Sequence, residues 1–185
     1  MIDLNYYKQE RIGDTVLMSP RPSLNHMKIE FYLARKLDNY FSNSICNVII
    51  ETSLFLSYKE VNTNNSKEVL KFIREVSNEV IPDIMVYCNK SQECNRGIIG
   101  VPKIIIEILS SNRDDDLINK FNLYEKYGVQ EYWIVDPLNK EVYVYFYNSE
   151  IGKYEDEITY KFDDIILSKL FKDLEVSLKD LDLVE

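Results

Sequence analysis

Histidine, cysteine, glycine and proline are all scarce in this chain, and each scarcity removes a class of protein. One histidine and three cysteines (Cys46, Cys88, Cys94) leave few ligands for a Cys/His metal cluster, and their spacing matches no zinc signature. An odd number of cysteines cannot pair completely. The expectation is three reduced thiols, two of them in strands, in a reducing compartment. With five glycines and five prolines the composition is neither collagen-like nor disordered. No stretch approaches the ~20 apolar residues of a membrane span. The opening MIDLNYYKQERIGD lacks the apolar segment of a secretory signal, so a cytoplasmic location and no membrane partner are expected by elimination.

Positive charge is also in short supply. Lys and Arg total 22 against 31 Asp and Glu, a net charge of −9, which argues against strong nonspecific binding to nucleic acid. A cleft of metal-binding carboxylates is itself acidic, however, so the total does not exclude a nucleic-acid partner. Against these shortages stand 45 % apolar and 29 % charged residues over 185 positions, the make-up of one globular domain.

Several segments carry clear patterns. Residues 23–41 read as an amphipathic helix with Ser23 as N-cap and Ile29, Leu33 and Leu37 at four-residue spacing. Before it, RIGDTVLMSPRP reads as a short strand or hairpin closed by a Pro-rich turn. Cys46 to Tyr58 is β-branched and aromatic, which predicts a strand. Residues 59–78 read as an inserted loop plus helix, with Val69, Phe72, Ile73 and Val76 at helical spacing. IPDIMVYC (81–88) and PKIIIEILS (102–110) are two strands separated by a polar loop with Gly97 and Gly100. A helix from Asp114 to Tyr127 opens with acids, which suit its N-terminal dipole, and stops at Gly128. QEYWIVDP is a further buried strand, and KEVYVYFYN with KYEDEITYKF forms a hairpin. The tail from Asp163 is expected to be a packed, irregular end. The order of elements predicts an α/β core with a mixed central sheet flanked by helices.

Glu107 is the most informative residue. It interrupts Ile104–Leu109, a run with every other mark of burial, and an unpaired carboxylate there would cost several kcal/mol. A metal ion or a basic side chain removes that penalty. A buried ion pair, or a register that turns Glu107 to solvent at a strand end, would do the same. Asp83 opens the preceding strand after Pro82. Alternation groups Asp83 with Met85 and Tyr87, and Glu107 with Ile105 and Leu109, so the two acids can serve one ion if both sets share a face. Two carboxylates with a backbone carbonyl and waters make a typical Mg²⁺ ligand set, for which His26 is poorly suited. Lys120 flanks the inward stripe of Leu117, Phe121 and Tyr124, from which it can reach the carboxylates or snorkel to solvent. Lys126 falls on the opposite face.

IPDIMV (81–86), GVPKIIIEILS (100–110), Asp116, Lys120, Tyr124 and GVQEYWIVD (128–136) together resemble the Uma-type restriction endonuclease family, a branch of the PD-(D/E)xK nuclease superfamily. SPRPSLNH and the hairpin around EVYVYFY are also similar to that family. The resemblance spans almost the whole chain except about residues 59–78, which look like an insertion. It implies one restriction endonuclease-like domain over 1–185 and a metal-dependent endonuclease acting on DNA with Mg²⁺ or Mn²⁺. By position, Asp83 and Glu107 would be the two acids and the Ile108 carbonyl a further metal ligand. The usual lysine two residues after the glutamate is replaced by Leu109, and Lys120 on the following helix stands in for it. Glu30 resembles an additional acid that some superfamily members use.

Two other readings remain open: a nonenzymatic nucleic-acid or protein-binding module on the same fold, and a scaffold in which Glu107–Lys120 is only a buried ion pair. The alternating Tyr143, Tyr145 and Tyr147 can be a base-stacking platform, one face of a strand, or a subunit contact. Pairing of that hairpin across a two-fold axis makes a homodimer the expectation.

Overall fold

A computed structural model describes residues 8–19, 22–109 and 114–184 of the chain. Its elements in order are β1 (Lys8–Ile12), β2 (Thr15–Ser19), α1 (Leu24–Phe41), β3 (Asn47–Ile50), β4 (Leu54–Phe55) and α2 (Ser66–Glu75). There follow β5 (Asn78–Val80), β6 (Ile84–Tyr87), β7 (Glu93–Cys94), β8 (Gly97–Ile99), β9 (Ile104–Ile108) and α3 (Asp114–Tyr127). The chain continues through β10 (Glu131–Asp136), β11 (Glu141–Asn148), β12 (Lys153–Tyr154), β13 (Ile158–Lys161), β14 (Ile166–Leu167) and β15 (Glu175–Val176). The expected Pro20–Arg21 turn, the end of the 102–110 strand at Ser110 and the segment 1–7 lie outside the described residues, as do the side chains of Asp114, Asp115 and Asp116.

The architecture is mixed α/β, as the sequence predicts. The principal sheet runs β12-β11-β10-β9-β6-β3, with β13 also paired to β11. Only β9 and β10 are parallel; the other neighbours are antiparallel. Side-chain alternation splits β9 between two cores. Ile104, Ile106 and Ile108 pack with Ile29, Leu33 and Leu37 of α1, while Ile105 packs with Leu123 and Tyr124 of α3. Burial on both faces explains why β9 is nearly all isoleucine. Each fully buried Ile or Leu side chain contributes about 1.5–3 kcal/mol, so the two helices are held firmly against the sheet.

A second sheet, β2-β1-β5-β4-β8-β7, was not anticipated. It arises because the expected continuous strand Cys46–Tyr58 breaks. β3 belongs to the first sheet and β4 to the second, and Glu51 between them takes φ +47°. A left-handed backbone at a non-glycine residue is unfavourable, and here it redirects the chain from one sheet to the other. α2 forms where helical spacing was read, with Val69 and Phe72 buried and Asn65 as its N-cap. α3 ends at Gly128, whose φ of +66° lies in the left-handed region that glycine adopts at least cost.

The thiol expectation is corrected for two of the three cysteines. Extending the antiparallel β3–β6 pairing of Asn47 with Tyr87 sets Cys46 opposite Cys88, and the structure joins them in a disulfide, leaving Cys94 free. The tail is more ordered than expected: β14 and β15 pair, and Leu174, Val176 and Leu178 are buried. It is pinned by Glu131, whose carboxylate accepts from Ser168 Oγ at 2.8 Å and from Leu170 N at 2.7 Å. No described helix is long and apolar enough to cross a membrane.

Candidate active site

Three neighbouring strands of the principal sheet carry an acid at or next to one end, at the same level. Ile50 pairs with Ile84 and Ile84 with Ile106, so one step outward the row reads Glu51, Asp83, Glu107. The Glu51 N–H donates to the Asp83 carbonyl at 3.1 Å, which keeps the outermost pair in register. Like charges set directly opposite each other on adjacent strands repel. The polar groups around the row are therefore central to what it can do.

On the α3 side, Glu107 is 1 % exposed and accepts from Lys120 Nζ at 3.1 Å and from the Tyr124 hydroxyl at 2.8 Å. Lys120 also reaches Glu10 of β1 at 2.9 Å, and Glu10 accepts the Ile81 N–H at 2.6 Å. One ammonium thus lies between two buried carboxylates. Burial, then the nearby Glu107 charge, holds the Tyr124 phenol well above its ordinary pKa, so it stays a donor. Asp83 Oδ2 accepts the Ile108 N–H at 2.6 Å, while its Oδ1 lies 3.4 Å from His26 Nε2 at the start of α1. The Ser23 hydroxyl caps α1 by accepting the His26 N–H at 3.2 Å, as expected of an N-cap. Glu30 follows His26 by four residues and is buried on the same helix face. His26, Glu30 and Glu51 each offer a ligand atom, and these atoms all lie within 4.8 Å of one another.

The structure places the residues singled out in the sequence in two pairs of contacts. Asp83 touches the Ile108 backbone through its N–H, and Lys120 touches Glu107. Of the two alternatives open for Lys120 its side chain takes the inward one, 3 % exposed, while Lys126 is exposed, as its angular position predicts. Leu109, at the position of the missing lysine, packs into the core beneath α3.

With that geometry in place, comparison with known proteins is decisive for the family. The family model Uma2, described as "Putative restriction endonuclease", matches residues 5–179. The chain belongs to the Uma2 family. It is also similar in structure to "a putative nuclease belonging to DUF820 from Anabaena variabilis ATCC 29413". The TM-score is 0.70 and the identity 21 %, covering 94 % of this chain and 88 % of that one. At that identity the likeness establishes the shared fold. No curated protein matches the chain.

Three residues of this Uma2 site escaped the sequence reading. Glu10 lies in KQERI, a polar stretch in which nothing marks one acid as buried. Glu51 follows VII at a strand end, and only strand pairing reveals that it extends the Asp83–Glu107 row. His26 was set aside as a poor ligand for a hard ion, yet it borders the acids from α1. The tyrosine row also resolves. The Tyr145 ring packs edge-on against Phe121 at 4.9 Å and its hydroxyl donates to Glu157, while the Tyr143 hydroxyl donates to Glu141. These contacts fit one face of a packed strand better than an open stacking platform.

Proposed function

We propose that this Uma2 chain is a divalent-metal-dependent endonuclease that hydrolyses phosphodiester bonds in DNA at the ends of β3, β6 and β9. The observation that carries the reading is the acid row beside an inward-turned lysine, in a chain whose family is described as "Putative restriction endonuclease".

The donor chemistry fits a hard divalent ion. Asp83, Glu107 and the Ile108 carbonyl would supply oxygen ligands of the kind Mg²⁺ and Mn²⁺ take. When bound, the ion supplies Lewis-acid chemistry, neutralising phosphate charge and making an attacking water more acidic. The protein's own contribution is positioning. The Ile108 N–H fixes the Asp83 carboxylate. The Tyr124 hydroxyl orients Glu107 through Oε1. Lys120, held by Glu10 and Glu107, keeps an ammonium beside the acids, where it orients the attacking water or stabilises charge developing on the phosphate. The wider reading is one domain over 1–185 with residues 59–78 as an insertion, acting in the cytoplasm. It would assemble as a homodimer through the sheet edge formed by β12 and β13, since an edge strand is a ready template for pairing.

The test is incubation of purified protein with plasmid and linear DNA in Mg²⁺ or Mn²⁺, with light scattering for the dimer. Cleavage is expected from the wild type and lost in the Asp83→Ala, Glu107→Ala double variant. Cleavage undiminished in that variant would remove both acids from the mechanism. A fully inactive wild type that binds no metal would leave the nonenzymatic binding module as the function.

A further inference from the structure

We infer that His26, Glu30 and Glu51 form a second divalent-metal position, on the α1 side of the strand ends, whose nitrogen donor favours Mn²⁺, Co²⁺ or Zn²⁺ over Mg²⁺.

The first support is geometric. The three ligand atoms come from two separate elements and lie within 4.8 Å of one another. His26 and Glu30, one helical turn apart, share the α1 face that is anchored by Ile29, Leu33 and Leu37. Glu51 is held in register by its N–H bond to the Asp83 carbonyl. The second support is independent of the acids. His26 is 1 % exposed, and neither ring nitrogen makes a hydrogen bond among the described residues. Among the described residues its approach to a carboxylate, Nε2 to Asp83 Oδ1 at 3.4 Å, is too long for a good hydrogen bond. A buried imidazole without hydrogen bonds is rare and destabilising, a penalty that coordination to a cation removes.

The donor set then dictates the ion. Imidazole suits Zn²⁺, Mn²⁺ and Co²⁺ far better than Mg²⁺, which prefers an all-oxygen octahedron. Glu51 is the exposed member, so the position opens to solvent there and leaves room for water or a substrate oxygen. Asp83 stands between the two positions, with Oδ2 held by the Ile108 N–H and Oδ1 facing His26. The inference goes beyond the nuclease reading and does not require DNA to be the substrate.

The test uses the full chain and the metals alone. Calorimetric titration with MnCl₂, CoCl₂ and MgCl₂ is paired with electron spin-echo measurement of nitrogen coupling to bound Mn²⁺. Nitrogen-coupled Mn²⁺ is expected in the wild type and in Glu107→Gln, which damages the other position only. His26→Gln should abolish the coupling and weaken Mn²⁺ binding by at least about tenfold, the scale seen on losing a group that merely supports a ligand. Glu51→Gln, at an exposed site, serves as a second variant should His26→Gln fail to fold. It should weaken the nitrogen-coupled Mn²⁺ in the same way. Bound Mn²⁺ without nitrogen coupling would overturn this position while leaving the Asp83–Glu107 site intact. Nitrogen coupling in a protein that cleaves no DNA would support it while the nuclease reading fails. Absence of any bound metal would overturn both.

Discussion

Asp83 and Ile108 are tied across the sheet. The carboxylate of the acid that precedes β6 accepts the backbone N–H of the last residue of β9, at 2.6 Å. The first acid is thereby fixed to the residue that follows the second. Structural and metal-binding roles of Asp83 can be separated by choice of substitution. Asp83→Asn keeps an acceptor for the Ile108 N–H and removes the charge. It should preserve most of the stability while weakening Mg²⁺ or Mn²⁺ binding sharply. Asp83→Ala loses the acceptor as well, leaves a buried N–H unpaired, and should destabilise by a further ~1–3 kcal/mol. Urea denaturation and calorimetric metal titration of both variants check the pair of outcomes.

Tyr124→Phe removes one hydroxyl from a buried carboxylate and nothing else. Hydrogen bonds to charged groups contribute about 1.5–3 kcal/mol, so a loss of that size is expected in denaturant unfolding. Glu107 would keep Lys120 as partner. Cleavage should fall more than DNA binding does, because the orientation of Glu107 is what changes. Equal losses in both would argue that Tyr124 serves packing alone.

The principal sheet, both flanking helices and the Glu107–Lys120 contact are legible in the sequence because each leaves a local mark. β9 is apolar at every position but one, so Glu107 stood out. Lys120 was placed by helical angle, and α1 by its cap and spacing. The second sheet left no such mark. Its strands are two to five residues long, and β4 had been fused with β3 because nothing in IETSL announces a left-handed turn at Glu51. Glu10 and Glu51 became part of the site only through strand pairing, which is a relation between distant segments. The Cys46–Cys88 pairing was hidden for the same reason: an odd cysteine count discourages a pairing that only the β3–β6 register makes evident.

Alkaline pH should loosen the tyrosine-rich side of the sheet. Burial, then the Glu93 hydrogen bond, pushes the Tyr87 phenol up to about 12, and the Glu141 hydrogen bond, then burial, pushes Tyr143 up to about 12. A folded-state pKa above the unfolded value of 10 means the folded chain holds protons that the unfolded chain has released. The contribution to stability is therefore whole below pH 10 and is lost as pH rises from 10 through about 12. Ultraviolet titration of tyrosinate should show these two phenols ionising about two units late, and Tyr143→Phe should flatten the decline in melting temperature across that window. Normal titration of all fourteen tyrosines near pH 10 would contradict the packing described here.

Lys120 is where stability and metal binding should trade against each other. Its ammonium lies against the Glu10 and Glu107 carboxylates, all three nearly inaccessible to solvent. Lys120→Met removes that cation and leaves two buried acids facing each other, for which a loss of about 3–5 kcal/mol is the usual scale. A divalent ion drawn to Glu107 supplies replacement charge. Added Mg²⁺ should therefore stabilise Lys120→Met more than the wild type. The linkage is quantitative: about 2.7 kcal/mol is regained when free ion exceeds its dissociation constant a hundredfold. Thermal melts of both proteins across a Mg²⁺ series, with a chelator as the zero point, give the comparison directly. Parallel shifts in the two proteins would mean that Lys120 and the metal do not share Glu107, and the ammonium would then be a structural partner only. A steeper shift in the variant, with cleavage lost, is the outcome expected of a lysine that stands beside the metal and acts with it.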